Sequence, residues 1–126
     1  MAVESVAHPN GLSLALPPNL RATRTPEGFV VEPDPPQDPR SPVRIRVALT
    51  PSLPEMRSAR ETTVEGQPWN YAVNVSEAAG SGGPEFTLTA CRRALGQWVC
   101  LWQTHRTQRG DQDFELWTVA RGLRAG

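Results

Sequence analysis

The stretch TLTACRRALGQWVCLWQT, residues 87–104, carries both cysteines of the chain, Cys91 and Cys100, with Leu95-Gly96 midway between them. A glycine-containing two-residue step between two apolar, β-rich runs is a hairpin signal. With Leu95-Gly96 at the tip, Cys91 faces Cys100 at a non-hydrogen-bonded position, where α-carbons approach to about 4.5 Å. That lies inside the roughly 4.4–6.8 Å window of a disulfide. The same register places Phe86, Leu88, Ala90, Val99 and Leu101 together on the opposite face, so the hydrophobic pattern supports it independently. A structural cross-strand disulfide is the favoured reading, although two unlinked, half-buried thiols fit the register as well. A zinc site needs more soft ligands, and only His8 and His105 are available, neither at zinc-like spacing. The C-x-x-C of a redox dithiol is absent. A disulfide in a small bacterial chain points to export, to the periplasm or the outer side of a membrane.

Working outward, the same period-two alternation recurs along the chain. Leu12, Leu14 and Leu16 alternate with Ser13 and Ala15 before the proline pair 17–18, and Phe29 to Glu32 form a short strand after a turn at 26–28. Val43, Ile45, Val47 and Leu49 alternate with Arg44, Arg46 and Ala48, and Tyr71, Val73 and Val75 with Asn70, Ala72 and Asn74. The run PSLPEMRSARETT, residues 51–63, is read as one or two helical turns, since Pro51 and Pro54 suit a first turn. Near the end, Leu116, Val119, Ala120 and Leu123 fall at helical spacing, with acids before them and arginines after, matching the macrodipole. Residues 1–10 read as a flexible lead, 33–42 as a proline-rich surface loop and 78–84 as a mobile glycine-rich loop. The expected fold is a single α+β domain over 1–126. It holds a mostly antiparallel β-sheet of about six strands with a C-terminal helix, and an additional short helix as an option.

The 126 residues hold 13 basic and 13 acidic side chains, so the formal net charge is zero. A neutral chain has no electrostatic footprint for nucleic acid or for an anionic membrane. No apolar run approaches the roughly 20 residues that span a bilayer. The start, MAVESVAHPN, lacks the basic and apolar regions of a signal peptide; its MA before a loop-like segment resembles an initiator placed on a truncated chain, so a removed export signal is compatible with it.

No residues nominate themselves for catalysis or a metal, and no cofactor is expected. His105 is a lone strand histidine on the Phe86 and Leu101 face, and His8 sits in the lead. Asp111, Asp113 and Glu115 alternate like half of a calcium loop but lack the glycine and terminal glutamate spacing of an EF-hand; acids that start a helix are the simpler reading. Trp98 and Trp102 share the cysteine face with Thr87, Thr89, Arg93 and Thr104. Tryptophan and arginine are enriched in partner-binding surfaces. The competing reading is that the C-terminal helix or a loop covers that face. The candidate partner surface comprises Trp98, Trp102, Arg93, Ser81, Gly82, Gly83, Glu85, Asp111 and Asp113, whereas Trp69 and Trp117 read as core.

Asn10-Gly11, the proline pair 17–18 and Gly28-Phe29 carry a family resemblance over most of the chain. It resembles the periplasmic lipoprotein immunity proteins of type VI secretion systems, which protect a bacterium from its own or a sibling's peptidoglycan-cutting effector. The resemblance implies a non-catalytic inhibitor that binds and occludes the active-site cleft of a cognate muramidase-type peptidoglycan hydrolase. It also implies a periplasmic protein held at the inner or outer membrane through a lipid anchor in its full-length form. The alternative from another class is a periplasmic ligand-binding or accessory module of similar build, which needs an apolar pocket between helix and sheet.

Overall fold

The computed structural model describes residues 4–34, 43–77 and 84–125. In chain order they form β1 (Glu4–Ala7), β2 (Leu12–Leu16), β3 (Leu20–Arg24), β4 (Gly28–Pro33), β5 (Ile45–Thr50), β6 (Arg60–Val64), β7 (Gln67–Glu77), β8 (Pro84–Ala94), β9 (Gln97–His105), α1 (Leu116–Gly122) and β10 (Leu123–Ala125). Seven strands build one sheet in the order β3-β4-β5-β9-β8-β7-β6, and β1-β2-β10 build a second. Every pairing is antiparallel. The chain is therefore α+β and mostly strand, as its alternating patterns predict.

The β8–β9 hairpin has the register that the sequence implies: Cys91 lies opposite Cys100, and the two form a disulfide with α-carbons 4.1 Å apart. Leu95 and Gly96 both take positive φ, 55° and 73°, the conformation of a two-residue turn whose twist matches the flanking strands. Glycine adopts it freely, whereas leucine does so at a cost of about 1–2 kcal/mol. Leu95 gains a contact in return, because its side chain lies over Gly11, where a β-carbon would come within 2.9 Å of Leu95 Cδ1.

With that register set, side chains of the large sheet sort by parity. Phe29, Val31, Ile45, Val47, Trp69, Tyr71, Leu88, Ala90, Val99 and Leu101 point to one face, where they form a single core with Leu12, Leu14 and Leu16 of β2 and with Phe114, Leu116, Trp117 and Val119. The small sheet and α1 are the second layer over this inward face. Trp69 and Trp117 are core, as expected, and meet edge to face at 6.4 Å. Tyr71 meets Trp117 at 5.4 Å, and the indole N–H of Trp117 donates to the Asp111 carbonyl at 2.7 Å. A buried indole needs such a partner.

Four expectations differ from the structure. The strands exceed six because β3 and β6 are edge strands whose side chains are mostly exposed. They lack the apolar alternation that marks a half-buried strand. Residues 51–59 contain no helix, and β-branched Thr62, Thr63 and Val64 continue into β6 instead. Residues 4–10 are not a loose lead: 4–7 pair with β2, and the His8 to Asn10 turn is tied to the β3–β4 turn. There His8 Nε2 donates to the Thr25 carbonyl at 2.7 Å, and Asn10 Nδ2 donates to the Glu27 carbonyl at 2.9 Å. The Asn10 backbone N–H donates to His8 Nδ1 at 3.0 Å, and the ring packs edge-on against Phe29.

The fourth difference is the helix, which is shorter than the spacing implies. Its acids precede it rather than lining its first turn, and Leu123 is buried in β10 rather than on the helix. At Gly122 the chain passes so close to β2 that a β-carbon would sit 1.9 Å from the Ala15 carbonyl oxygen. Of the two expected loops, residues 35–42 and 78–83 lie outside the described residues.

The disulfide closes a short loop within an already paired hairpin and is expected to contribute about 2–3 kcal/mol. Intact-mass measurement should find no alkylation of the native protein and two alkyl groups after reduction and unfolding. The Cys91→Ala, Cys100→Ala double variant should melt at lower temperature than the wild type.

Candidate functional site

The outward face of the seven-stranded sheet has no second layer among the described residues, because α1 and the small sheet both pack on the other side. Ala48, Ala72, Thr89, Cys91 and Cys100 are nevertheless buried there. Longer neighbours on the same face shield these small side chains. Trp98 and Trp102 flank Cys100 along β9, with Arg93 opposite Trp98, and Arg46 and Thr89 opposite Trp102. The result is a floor of small residues and a disulfide between two upright, half-buried indoles.

Arginines hold the indoles in place. The Arg46 guanidinium lies 4.8 Å from the Trp102 ring centre and that of Arg93 lies 5.5 Å from Trp98. Each such contact is worth about 0.5–1 kcal/mol at an exposed site and restricts the rotamers of both partners. Arg46 and Arg44 also make loose surface pairs with Glu27 and Glu32, at 3.7 and 3.6 Å. Arg93 has no carboxylate partner among the described residues. The C-terminal helix does not cover this face, since α1 is buried on the inward side through Leu116, Trp117, Val119 and Ala120; the loops at 35–42 and 78–83, the other expected cover, lie outside the described residues.

The expected partner-contact residues do not form one patch. Trp98, Trp102 and Arg93 cluster at the hairpin end of the outward face. Glu85 shares that face by strand parity but sits at the far end of β8, near Arg106 at 3.8 Å. Asp111 and Asp113 belong to the segment before α1, in the layer on the inward side. Asp111 is bound to Arg60 at 2.7 Å, and Asp113 accepts the Gly110 backbone N–H at 3.2 Å. Ser81, Gly82 and Gly83 lie outside the described residues. Arg46, by contrast, completes the Trp102 site without having been singled out. Its outward parity is readable from the alternation around it, but its meeting with Trp102 depends on β5 pairing with β9.

The remaining polar chemistry is a buried cluster at the end of β9. Gln103 and His105 are almost fully buried, and His105 packs against Phe114. Gln103 Oε1 accepts the Leu116 backbone N–H at 2.7 Å, while Gln103 Nε2 donates to Glu115 Oε2 and approaches His105 Nε2 at 2.5 Å. Arg109 Nη1 donates to both Glu115 oxygens, at 2.7 and 2.8 Å. Glu115 occupies the N-cap position of α1 but turns its carboxylate to these partners instead of capping the helix. The cluster fixes the segment 106–115 against the sheet and satisfies its own buried polar atoms. No nucleophile adjoins His105 among these contacts.

Burial, and after it the Arg109 charge, push the His105 pKa below its ordinary 6.5, against a smaller opposing pull from Glu115. Burial pushes the Glu115 carboxyl up, but hydrogen bonds from Arg109 and Gln103 outweigh it and hold the group below its ordinary 4.5. Between the depressed folded pKa of His105 and about 6.5 the unfolded chain binds more protons, so stability falls as pH drops through that window. Glu115 adds a second loss as pH falls below about 4.5 toward its own folded value. Melting temperature measured from pH 8 to pH 4 should therefore decline in two phases, and His105→Gln should flatten only the upper one. A wild-type melting temperature that stays level from pH 6.5 to 5 would contradict this.

Comparison with known proteins bears on what these surfaces serve. The immune protein Tsi3 of Pseudomonas aeruginosa is 28% identical over 124 residues, which cover 96% of this chain and 81% of that protein. Two solved structures share the fold. A protein of Bacteroides thetaiotaomicron matches with TM-score 0.70 at 15% identity, covering all of this chain, which spans 49% of that one. Cyanobacterial PsbP from Synechocystis matches with TM-score 0.61 at 11% identity, over 98% of this chain and 92% of that one. At such identities the likeness concerns architecture alone. The type six secretion immunity 3 domain matches residues 13–119, from β2 into α1, and the chain belongs to that family of type VI secretion immunity proteins.

Proposed function

We propose that this immunity protein acts in the periplasm, held at a membrane by a lipid in its full-length form. There it neutralises a cognate cell-wall-degrading, muramidase-type effector by lodging in that enzyme's substrate cleft, with no chemistry of its own. The observation that carries the reading is the disulfide-bonded sheet face that no other described element covers, which presents Trp98 and Trp102 braced by Arg93 and Arg46. Large aromatic side chains already held in one orientation lose little entropy on binding. Tryptophan and arginine are also the residue types that most often dominate interface energies.

The occupant of this face is an acidic segment of the effector. Arg93 has no carboxylate partner among the described residues, and Arg44 and Arg46 have only loose surface ones, so acidic side chains on the partner would complete three incomplete charges. Exported cysteines are paired as a rule, which agrees with the Cys91–Cys100 bridge beneath the indoles.

The test is a lytic assay of the cognate effector, titrated with wild type and variants. Wild type should inhibit at one-to-one stoichiometry with a dissociation constant of about nanomolar or tighter. Trp98→Ala and Trp102→Ala should each weaken inhibition by about thirtyfold or more, the size of an interface hot spot. Lytic activity untouched by excess wild-type protein would sink the functional reading. Full inhibition by the Trp98→Ala, Trp102→Ala double variant would place the grip elsewhere on the protein.

A further inference from the structure

Strand alternation puts Arg92 on the inward face of the large sheet, in the same row as Leu88 and Ala90 and opposite Val99. That row is otherwise core, and an arginine there is out of keeping with its neighbours. Its guanidinium lies 5.8 Å from the Trp69 ring centre and opens into a cleft of about 480 Å³ between the β6–β7 turn and the end of α1 with β10. Arg124 lines the same cleft, beside Val64, Trp69, Ala120 and Leu123.

Neither guanidinium has a carboxylate partner among the described residues. Arg92 donates to the Arg93 carbonyl at 3.3 Å, and Arg124 to the carbonyls of Arg121 and Leu123 at 3.1 and 3.0 Å. Glu65 lines the cleft as well but pairs with neither. Burial first, and then the neighbouring Arg124 charge, work against the charged form of Arg92. Arg92 is half-buried and Arg124 exposed, and an anion between them would offset both the burial of Arg92 and the repulsion from Arg124.

The geometry points to a ligand site: the cleft between the β6–β7 turn and the end of α1 binds a small molecule that carries an oxyanion, a carboxylate or a phosphate. Planar guanidinium forks match the two oxygens of such a group, and Trp69, Ala120 and Leu123, which also line the cleft, are almost fully buried, so its accessible surface is mostly polar. The volume falls within the roughly 300–1,000 Å³ of small-ligand pockets. This cleft opens on the opposite side of the sheet from Trp98 and Trp102, so the inference stands independently of the effector-binding reading.

The test follows the side-chain Nε–H resonances of Arg92 and Arg124 by NMR in the full chain. The probes are N-acetyl-leucine, its uncharged amide and inorganic phosphate. The carboxylate should move both resonances with an affinity of about millimolar or tighter, and the amide should not. Arg92→Gln and Arg124→Gln should each weaken carboxylate binding by about tenfold or more, the loss of a charge-assisted hydrogen bond.

Phosphate that displaces the carboxylate and binds more tightly assigns a phosphate ligand, and weaker phosphate binding assigns a carboxylate. Both outcomes support the oxyanion site. Arg92→Leu should abolish binding and raise the melting temperature, because it completes the apolar row and removes the repulsion. The proposal is overturned if neither anion moves the resonances or if the amide binds as well as the acid. It is equally overturned if Arg92→Leu melts lower than wild type, since the arginine would then be a structural element of the fold.

Discussion

The β8–β9 register, locked by the Cys91–Cys100 disulfide, governs which side of the protein is core and which is surface. Side-chain direction in a strand has period two, so a slip of one residue would exchange the two faces of the hairpin. Leu88, Ala90, Val99 and Leu101 would then meet solvent, while Trp98, Trp102 and Arg93 would have to enter the apolar core. The bridge excludes that slip covalently. Since β8 and β9 lie at the middle of the seven-stranded sheet, with β5 on one side and β7 on the other, their parity propagates outward through the ladder in both directions.

One layer over one face is the architectural consequence. The small sheet and α1 together supply enough apolar surface to cover the inward side, and the outward side is finished differently, with small residues at the floor and long ones above. This arrangement buries Ala48, Ala72 and the disulfide with no second layer among the described residues, and it leaves two tryptophans half-exposed. A protein that only needed to fold would gain by placing threonine or a charged residue there. This placement of the indoles is what the proposed effector-binding surface rests on.

Much of this was readable from the chain, and the unread parts share physical reasons. The hairpin was legible because three independent signals agree on it: a glycine at the tip, cysteines at matching distances, and alternation on both sides. Trp69 and Trp117 were legible as core from their surroundings. The edge strands β3 and β6 were not, because LRATR and RETTV bury too little to show a pattern. The His8 to Asn10 turn looked like a loose lead because its anchors, the carbonyls of Thr25 and Glu27, are distant in sequence. For the site, the outward direction of Trp98, Trp102 and Arg93 followed from parity, whereas the Arg46–Trp102 contact required the non-local β5–β9 pairing. The Gln103–Glu115–Arg109 cluster escaped notice for a similar reason, since it arises only when the segment after β9 folds back over the strand that precedes it.

The central claim is that the tryptophan-bearing face is the surface that the effector covers. Oxidative footprinting of the free protein and of its complex with the cognate effector, read by mass spectrometry at individual tryptophans, decides it. Trp98 and Trp102 are expected to be labelled in the free protein and protected in the complex, while the buried Trp69 and Trp117 stay unlabelled in both. Unchanged labelling of Trp98 and Trp102 in a complex that is fully inhibited would contradict it.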